Sequence, residues 1–192
     1  MRHLLLASSS RYRQQLLSRL RLSFDSCAPE IDETSLPGEA AEQLVHRLAE
    51  TKARALADQY PNHLIIGSDQ VAVLDQEILG KPHTFERAKQ QLQFASGNSV
   101  RFLTGLALLD SSSGRIQVDC VPFTVHFREL NETQIERYLK AEQPFDCAGS
   151  FKAEALGICL FRSTEGEDVT SLVGLPLIRL VDMLRNEGIE LP

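Results

Sequence analysis

Residues 63–82 read HLIIGSDQVAVLDQEILGKP, and this stretch decides the class of the fold. HLII opens an apolar run, Gly67-Ser68-Asp69-Gln70 breaks it, and VAVL restores it. The pattern predicts a buried strand over residues 63–74, interrupted at its centre by small and polar residues. DQEILGKP then predicts a turn and a short return strand with Lys81 at its end. An aspartate inside such a strand is costly if it is buried without partners. Asp69 therefore either caps a bend at Gly67 or holds a metal, pairs with a cation or faces a site. Four consecutive small or polar residues between two strand-like runs favour the second group of readings.

Working outward, residues 3–7 read as a short buried strand, 11–20 as a helix with Leu16, Leu17 and Leu20 on one face, and 22–28 as a second strand. Residues 29–38, containing PEIDETSLPG, form an acidic, turn-rich loop. A long amphipathic helix is predicted over 39–60. Thr84 is placed to cap a helix running to about Ser96. Residues 99–109 and 115–127, joined by DSSSGR, read as a hairpin. Asn131 opens a helix with Gln134 placed for a capping box. AGSFKAEALGICLF reads as a glycine-bearing turn running into strand, and a last helix starts near Pro176. Helices alternating with strands predict an α/β fold with a mixed sheet.

The 192 residues suffice for one domain or two small intimate lobes, without repeats, linkers or low-complexity segments. A net charge of −6 argues against broad binding to nucleic acid or anionic membrane, while leaving room for a small anionic ligand in a locally positive site. Cys27, Cys120, Cys147 and Cys159 contain no CxxC pair, and no Cys/His spacing suits zinc. Reduced cysteines, no signal peptide and no apolar stretch of spanning length together predict a soluble cytoplasmic protein.

Near the start, ASSSRYR sets a serine cluster ahead of a helix whose first turn carries Arg11 and Arg13. Cations there oppose the helix dipole, so an anionic ligand would stabilise them. Taken alone, the serines are a helix cap, Asp32 and Glu33 are loop acids, and Lys52 is a solvated lysine on the polar face of the long helix. Together these parts suit phosphate-anhydride chemistry. Ser8, Ser10 and the helix start offer hydroxyls and N–H groups to a phosphate, and Arg13 could clamp it in bidentate fashion. Lys52 and Lys81 could neutralise further charge. Glu33 and Asp69 could hold a divalent cation, or Asp69 could activate water.

ASSSRYRQQLL, APEIDET, AETKARAL, IIGSDQVAVLDQEILGKP, ASGNSV and LVGLPL, in this order, resemble the Maf family over nearly the whole chain. The resemblance implies a single domain over residues 1–192 with an extended mixed sheet flanked by helices, two lobes with a central cleft, and a relation to inosine-triphosphate pyrophosphatases. It implies a nucleoside triphosphate pyrophosphatase that cleaves between the α and β phosphates, uses a divalent cation (Mg²⁺ or Mn²⁺) and forms a homodimer. Asp69 falls on the family's proton acceptor, and Ser8, Arg13, Glu33, Lys52 and Lys81 on positions lining its phosphate and metal site. The branch that acts on dTTP and UTP usually reads SPRR, GADT and a glutamine where this chain has Tyr12, Gln70 and Glu154. Those three residues resemble the branch that acts on 7-methyl-GTP. N7-methylated guanine is cationic, which suits a tyrosine face and a carboxylate that accepts from N1–H and the 2-amino group. The competing readings are a pyrimidine or broad non-canonical nucleotide pyrophosphatase, and a non-catalytic nucleotide-binding regulator of cell division.

Overall fold

Alternation along three strands builds two cores. In β1 (His3–Leu6), Leu4 and Leu6 join one apolar cluster and Leu5 the other. In β3 (His63–Leu74), Leu64 and Ile66 join the first and Ile65 the second. In β5 (Ser99–Asp110), Leu106 and Leu108 join the first, Ala107 and Leu109 the second. Side chains alternate between the two faces of a strand, so a helix can bury its apolar stripe on either side. The first face is covered by α1 (Arg11–Ser18), through Leu16 and Leu17, and by α6 (Leu177–Asn186), through Leu180, Met183 and Leu184. The second face is covered by α2 (Ala41–Arg54), through Ala49 and Ala53.

The computed structural model describes residues 2–192. The remaining elements are β2 (Phe24–Ser26), β4 (Glu77–Leu79), α3 (Phe85–Ala95), β6 (Ile116–Phe127), α4 (Glu132–Glu142), β7 (Phe161–Glu165) and α5 (Val169–Val173). The strand order is β2-β1-β3-β5-β6-β7, with β4 paired to β3 off this path. The sheet is mixed: β1 runs parallel to β2 and β3, while β3–β4 and β6–β7 are antiparallel. The expected α/β class with a mixed sheet is what the chain adopts.

The chain divides into two compact units. The first holds the chain up to Gln70, with Thr104–Val121 and Asp168–Pro192, and contains both leucine-rich clusters. The second holds Val71–Leu103 and Pro122–Glu167. Its interior carries Phe102, Phe127, Phe151 and Phe161, whose rings meet edge to face with centroids 4.9–5.6 Å apart.

α2 reaches its sheet closely because Gly67 and Gly105 have no side chain. A Cβ at Gly67 would lie 2.0 Å from the Ala49 carbonyl oxygen, and one at Gly105 2.1 Å from that of Val45. Neither space is compatible with any other residue unless the helix moves.

Several expected bounds are corrected. β3 is unbroken from His63 to Leu74, so Gly67 makes no bend for Asp69 to cap. α2 is shorter at both ends than the predicted 39–60. At its start the Glu39 carboxylate turns back onto Arg47 (2.6 and 2.7 Å) and the Leu36 N–H (3.0 Å), which holds residue 39 outside the helix. At its end the chain leaves the helix after Arg54 and enters turns. The apolar ICLF segment does not open a strand. Leu156–Leu160 forms a 3₁₀ turn, and β7 begins only at Phe161. A five-residue helix, α5, precedes α6 where no helix is predicted. The caps on α3 and α4 form as expected, with Thr84 accepting from Arg87 N–H and Asn131 and Gln134 making a reciprocal box.

Candidate active site

The polar centre of β3 splits by the same alternation that builds the core. Ser68 and Gln70 continue the face of Leu64 and Ile66, toward residues 171–174. Asp69 continues the face of Ile65 and Gly67, toward α2.

On the α2 side, Lys52 is 6% exposed and lies near the helix end. Its Nζ donates to Asp69 Oδ1 at 2.6 Å and lies 2.7 Å from Glu33 Oε1. Asp69 is itself buried, whereas the Glu33 side chain, on the loop before α2, is 59% exposed. Lys52 is thus a buried ion-pair partner and not the solvated lysine that its helical position suggests. Two carboxylates and one ammonium carry a net charge of −1. Within the trio only the Lys52–Asp69 pair is buried on both sides, and breaking such a pair with a side chain that offers no hydrogen-bond partner typically costs about 3–5 kcal/mol.

The serine cluster is organised around Arg13. Ser10 caps α1, its Oγ accepting from the Arg13 N–H at 3.4 Å. Ser8 is buried, and its Oγ accepts from the Ser10 N–H at 3.1 Å and from Arg13 Nη1 at 3.5 Å. Arg13 Nε donates to the Gly174 carbonyl at 2.8 Å. Burial pushes the Arg13 guanidinium below its ordinary value, and the charges of Asp69 and Glu33 act in the opposite sense. Arg13 therefore belongs to the same electrostatic group as the acid–lysine trio. Tyr12, beside it, is half-buried.

Residues 168–178 close the other side. Ser68 Oγ lies 2.9 Å from the Gly105 carbonyl and 3.0 Å from that of Gly174, and its single proton serves one of them at a time. Gln70 Nε2 approaches Thr104 Oγ1 (2.9 Å), the Ser171 carbonyl (2.7 Å) and the Leu172 carbonyl (3.2 Å). Its two protons are spent on these acceptors, which leaves its carbonyl oxygen as the group it can offer a ligand. Gly174 ends α5 at φ +113°, and a Cβ there would stand 3.4 Å from Arg13 Nε. Its lack of a side chain serves both the left-handed cap and the approach of Arg13.

Asp168 and Thr170 support this segment, and neither is among the residues expected at a site. Asp168 is 3% exposed; its Oδ1 accepts from the Thr170 N–H and hydroxyl, and its Oδ2 from the Ile178 N–H at 2.8 Å. Thr170 Oγ1 accepts from the Leu177 N–H at 2.8 Å. Pro176 cannot cap α6 with its side chain, so α5 caps it from outside. The Asp-Val-Thr sequence before a short apolar run is the one signal that could have found this cap.

Lys81 and Glu154 belong to the second unit. Lys81 is exposed between β4 and α3, and Glu154 is exposed in the turn that precedes the 3₁₀ turn at Leu156. The structure thus brings Ser8, Ser10, Arg13, Glu33, Lys52, Asp69 and Gln70 into the first unit, and describes Lys81 and Glu154 within the second. Among the described residues no helix is long and apolar enough to cross a membrane.

Comparison with known proteins follows the same lines. The family model for Maf-like protein matches residues 3–187. The chain is 71% identical over 189 residues to a protein of Pseudomonas aeruginosa named 7-methyl-GTP pyrophosphatase, with 98% of each chain covered. Proteins of the same name from Pseudomonas fluorescens and Pseudomonas putida are 71% and 66% identical, again with 98% of each chain covered. Among solved structures, a HAM1 protein from Coxiella burnetii aligns over 97% of this chain and 100% of its own, with a TM-score of 0.55 at 16% identity. The Ham1 protein of Staphylococcus aureus aligns over 96% of this chain and 99% of its own, with a TM-score of 0.52 at 12% identity. These two show a shared fold. The match over nearly all its residues, together with relatives of this identity, establishes that the chain belongs to the Maf family.

Proposed function

We propose that this chain is a nucleoside triphosphate pyrophosphatase that hydrolyses 7-methyl-GTP between the α and β phosphates, giving 7-methyl-GMP and diphosphate. The observation that carries the reading is Asp69, a buried carboxylate held at 2.6 Å by Lys52 in the middle of an apolar strand. The names of relatives 66–71% identical over 189 residues support the choice of substrate.

In this reading Asp69 accepts the proton of the attacking water. Lys52, donating to Asp69 Oδ1 at 2.6 Å, holds that carboxylate in place beside the reacting water. Arg13, Ser8 and Ser10 bind the phosphate chain at the start of α1, where the guanidinium fork and the helix end both favour anions. Lys81 adds a further cation for the phosphates. Tyr12 presents an aromatic face to the cationic base, Glu154 a carboxylate, and Gln70 its remaining carbonyl oxygen.

Glu33 and Asp69 are the residues that would hold Mg²⁺ or Mn²⁺. Both carboxylates already converge on one cation, the Lys52 ammonium, and both are hard oxygen donors, so the donor set fits. When bound, that ion would supply charge neutralisation for the triphosphate. The chain is further proposed to work as a soluble cytoplasmic homodimer.

The test is diphosphate release across a panel of 7-methyl-GTP, GTP, dTTP, UTP and non-canonical nucleotides. The expected result is the highest kcat/KM for 7-methyl-GTP. A higher value for dTTP or UTP would place the chain in the pyrimidine branch, and no turnover of any nucleotide would leave a binding protein.

A further inference from the structure

Two side chains of the first half of α2 and one of β6 form a group that the proposed reaction does not use. Glu42 and His46 are four positions apart, which stacks them one turn apart on the same face of the helix. Cys120 lies on β6, where residues 116–121 are all half-buried. One ligand atom from each of the three lies within 4.8 Å of the others. Glu42 is exposed, and His46 and Cys120 are half-buried, so the group is open to a solvated ion.

We infer that Glu42, His46 and Cys120 form a binding site for a zinc-class divalent cation. The donors are a carboxylate oxygen, an imidazole nitrogen and a thiolate sulfur. Sulfur with nitrogen selects a borderline-soft metal over Mg²⁺ or Mn²⁺, which take oxygen donors. Tetrahedral Zn²⁺ with bonds of about 2.0–2.3 Å sets its ligands about 3.3–3.6 Å apart. Set against the 4.8 Å within which the atoms lie, this needs a contraction of up to about 1.2–1.5 Å, and the exposed Glu42 side chain can supply part of it by changing rotamer. The Asp119 carboxylate accepts from the Cys120 N–H at 2.8 Å, while its other oxygen accepts from Arg179 Nε. Asp119 thereby fixes the backbone that carries the thiol. Three protein ligands leave the fourth tetrahedral position to water.

Binding at neutral pH displaces the thiol proton to solvent and forms a metal–sulfur bond, with no change of oxidation state. The ligands are 74 residues apart in sequence between His46 and Cys120, which is why no motif spacing announces them. His46 precedes Lys52 by six positions, about 9 Å along the helix axis, so this site and the candidate active site share a helix without sharing a ligand. A bound ion would tie the start of α2 to β6.

Cobalt(II) titration of the reduced full-length protein tests this directly. The expected result is one equivalent giving a thiolate-to-cobalt charge-transfer band, displaced by Zn²⁺. The band should vanish in Cys120→Ser and His46→Gln, weaken in Glu42→Gln, and persist in Asp69→Asn and in a variant with Cys27, Cys147 and Cys159 changed to serine. Zn²⁺ should also raise the melting temperature of the wild type and not that of Cys120→Ser, measured beside metal-free controls for folding. No charge-transfer band in the wild type, or a band that survives in Cys120→Ser, would overturn the inference.

Discussion

In the proposed reaction Asp69 is the residue on which the chemistry turns, and its surroundings say which substitution tests it. Asparagine keeps the shape and leaves an oxygen to accept from Lys52, so Asp69→Asn should fold while losing the ability to take a proton. Loss of a general base typically lowers kcat by about 10²–10⁴-fold. Turnover within a few-fold of wild type, with circular dichroism unchanged, would remove Asp69 from this role. Lys52 and Asp69 were each visible in the sequence as a helix lysine and a strand acid, but their meeting was not. Two residues 17 positions apart on different elements are brought together only because α2 settles onto Gly67 and Gly105. The backbone carbonyls of Ser171, Leu172 and Gly174, which hold Gln70 and Arg13, leave no trace in side-chain identities at all. In the proposed reading, Tyr12 is where the charge of the base would decide specificity. A cation over a tyrosine face gains about 0.5–2 kcal/mol that neutral guanine does not. Tyr12→Ala and Glu154→Gln should therefore narrow the ratio of kcat/KM for 7-methyl-GTP over GTP, and Tyr12→Trp should keep it. An unchanged ratio in both of the first two variants would count against the assignment.

At the scale of elements, the loop that carries Glu33 is held by one bidentate pair. Arg47 on α2 engages both oxygens of Glu39 and also donates to the Thr34 carbonyl at 3.1 Å. Within the loop, Asp32 accepts from the Thr34 N–H at 2.9 Å. The Arg47 guanidinium holds the Glu39 carboxyl down to about 2 from an ordinary 4.5. A depressed carboxyl pKa stabilises the fold only while the group is ionised. The contribution is whole above about pH 4.5 and is lost as pH falls through about 2. The melting temperature of Arg47→Met should thus lie below that of wild type near neutrality, and the gap should close as pH falls through that window. A gap that stays constant from neutral pH to pH 2 would mean that the pair does not hold the loop. Elements with a long apolar period were legible from sequence, including the unusually long β3 and the capped helices α3 and α4. α5 was not, because five residues are too few to show a helical period. The 3₁₀ turn at Leu156–Leu160 reads as strand from sequence because a short apolar run has no period that separates the two.

At the scale of the whole molecule, charge sets the conditions under which the proposed reaction runs. The chain carries a net charge of −6, and the group around Asp69 contributes a buried carboxylate and an exposed one to a single lysine. A triphosphate brings several further negative charges to that group. Arg13 offsets part of this, but its guanidinium already serves the Gly174 carbonyl and the Ser8 hydroxyl. In a partly buried setting, unbalanced like charges cost far more than in water, since the interaction scales inversely with the local dielectric. A divalent cation shared between Glu33, Asp69 and the substrate would restore the balance, and hard oxygen donors suit Mg²⁺ or Mn²⁺. The expected outcome is that protein treated with a chelator and returned to metal-free buffer is inactive on 7-methyl-GTP. Added Mg²⁺ or Mn²⁺ should restore it. Zn²⁺ held at the inferred Glu42–His46–Cys120 site should not substitute, because there it would bring no charge to Asp69. The products, resolved by anion-exchange chromatography, should be one nucleoside monophosphate and one diphosphate per turnover. Stepwise release of single phosphates would show attack at the outer phosphate, and full activity in chelator would show that Lys52 and Arg13 balance the charge without a metal.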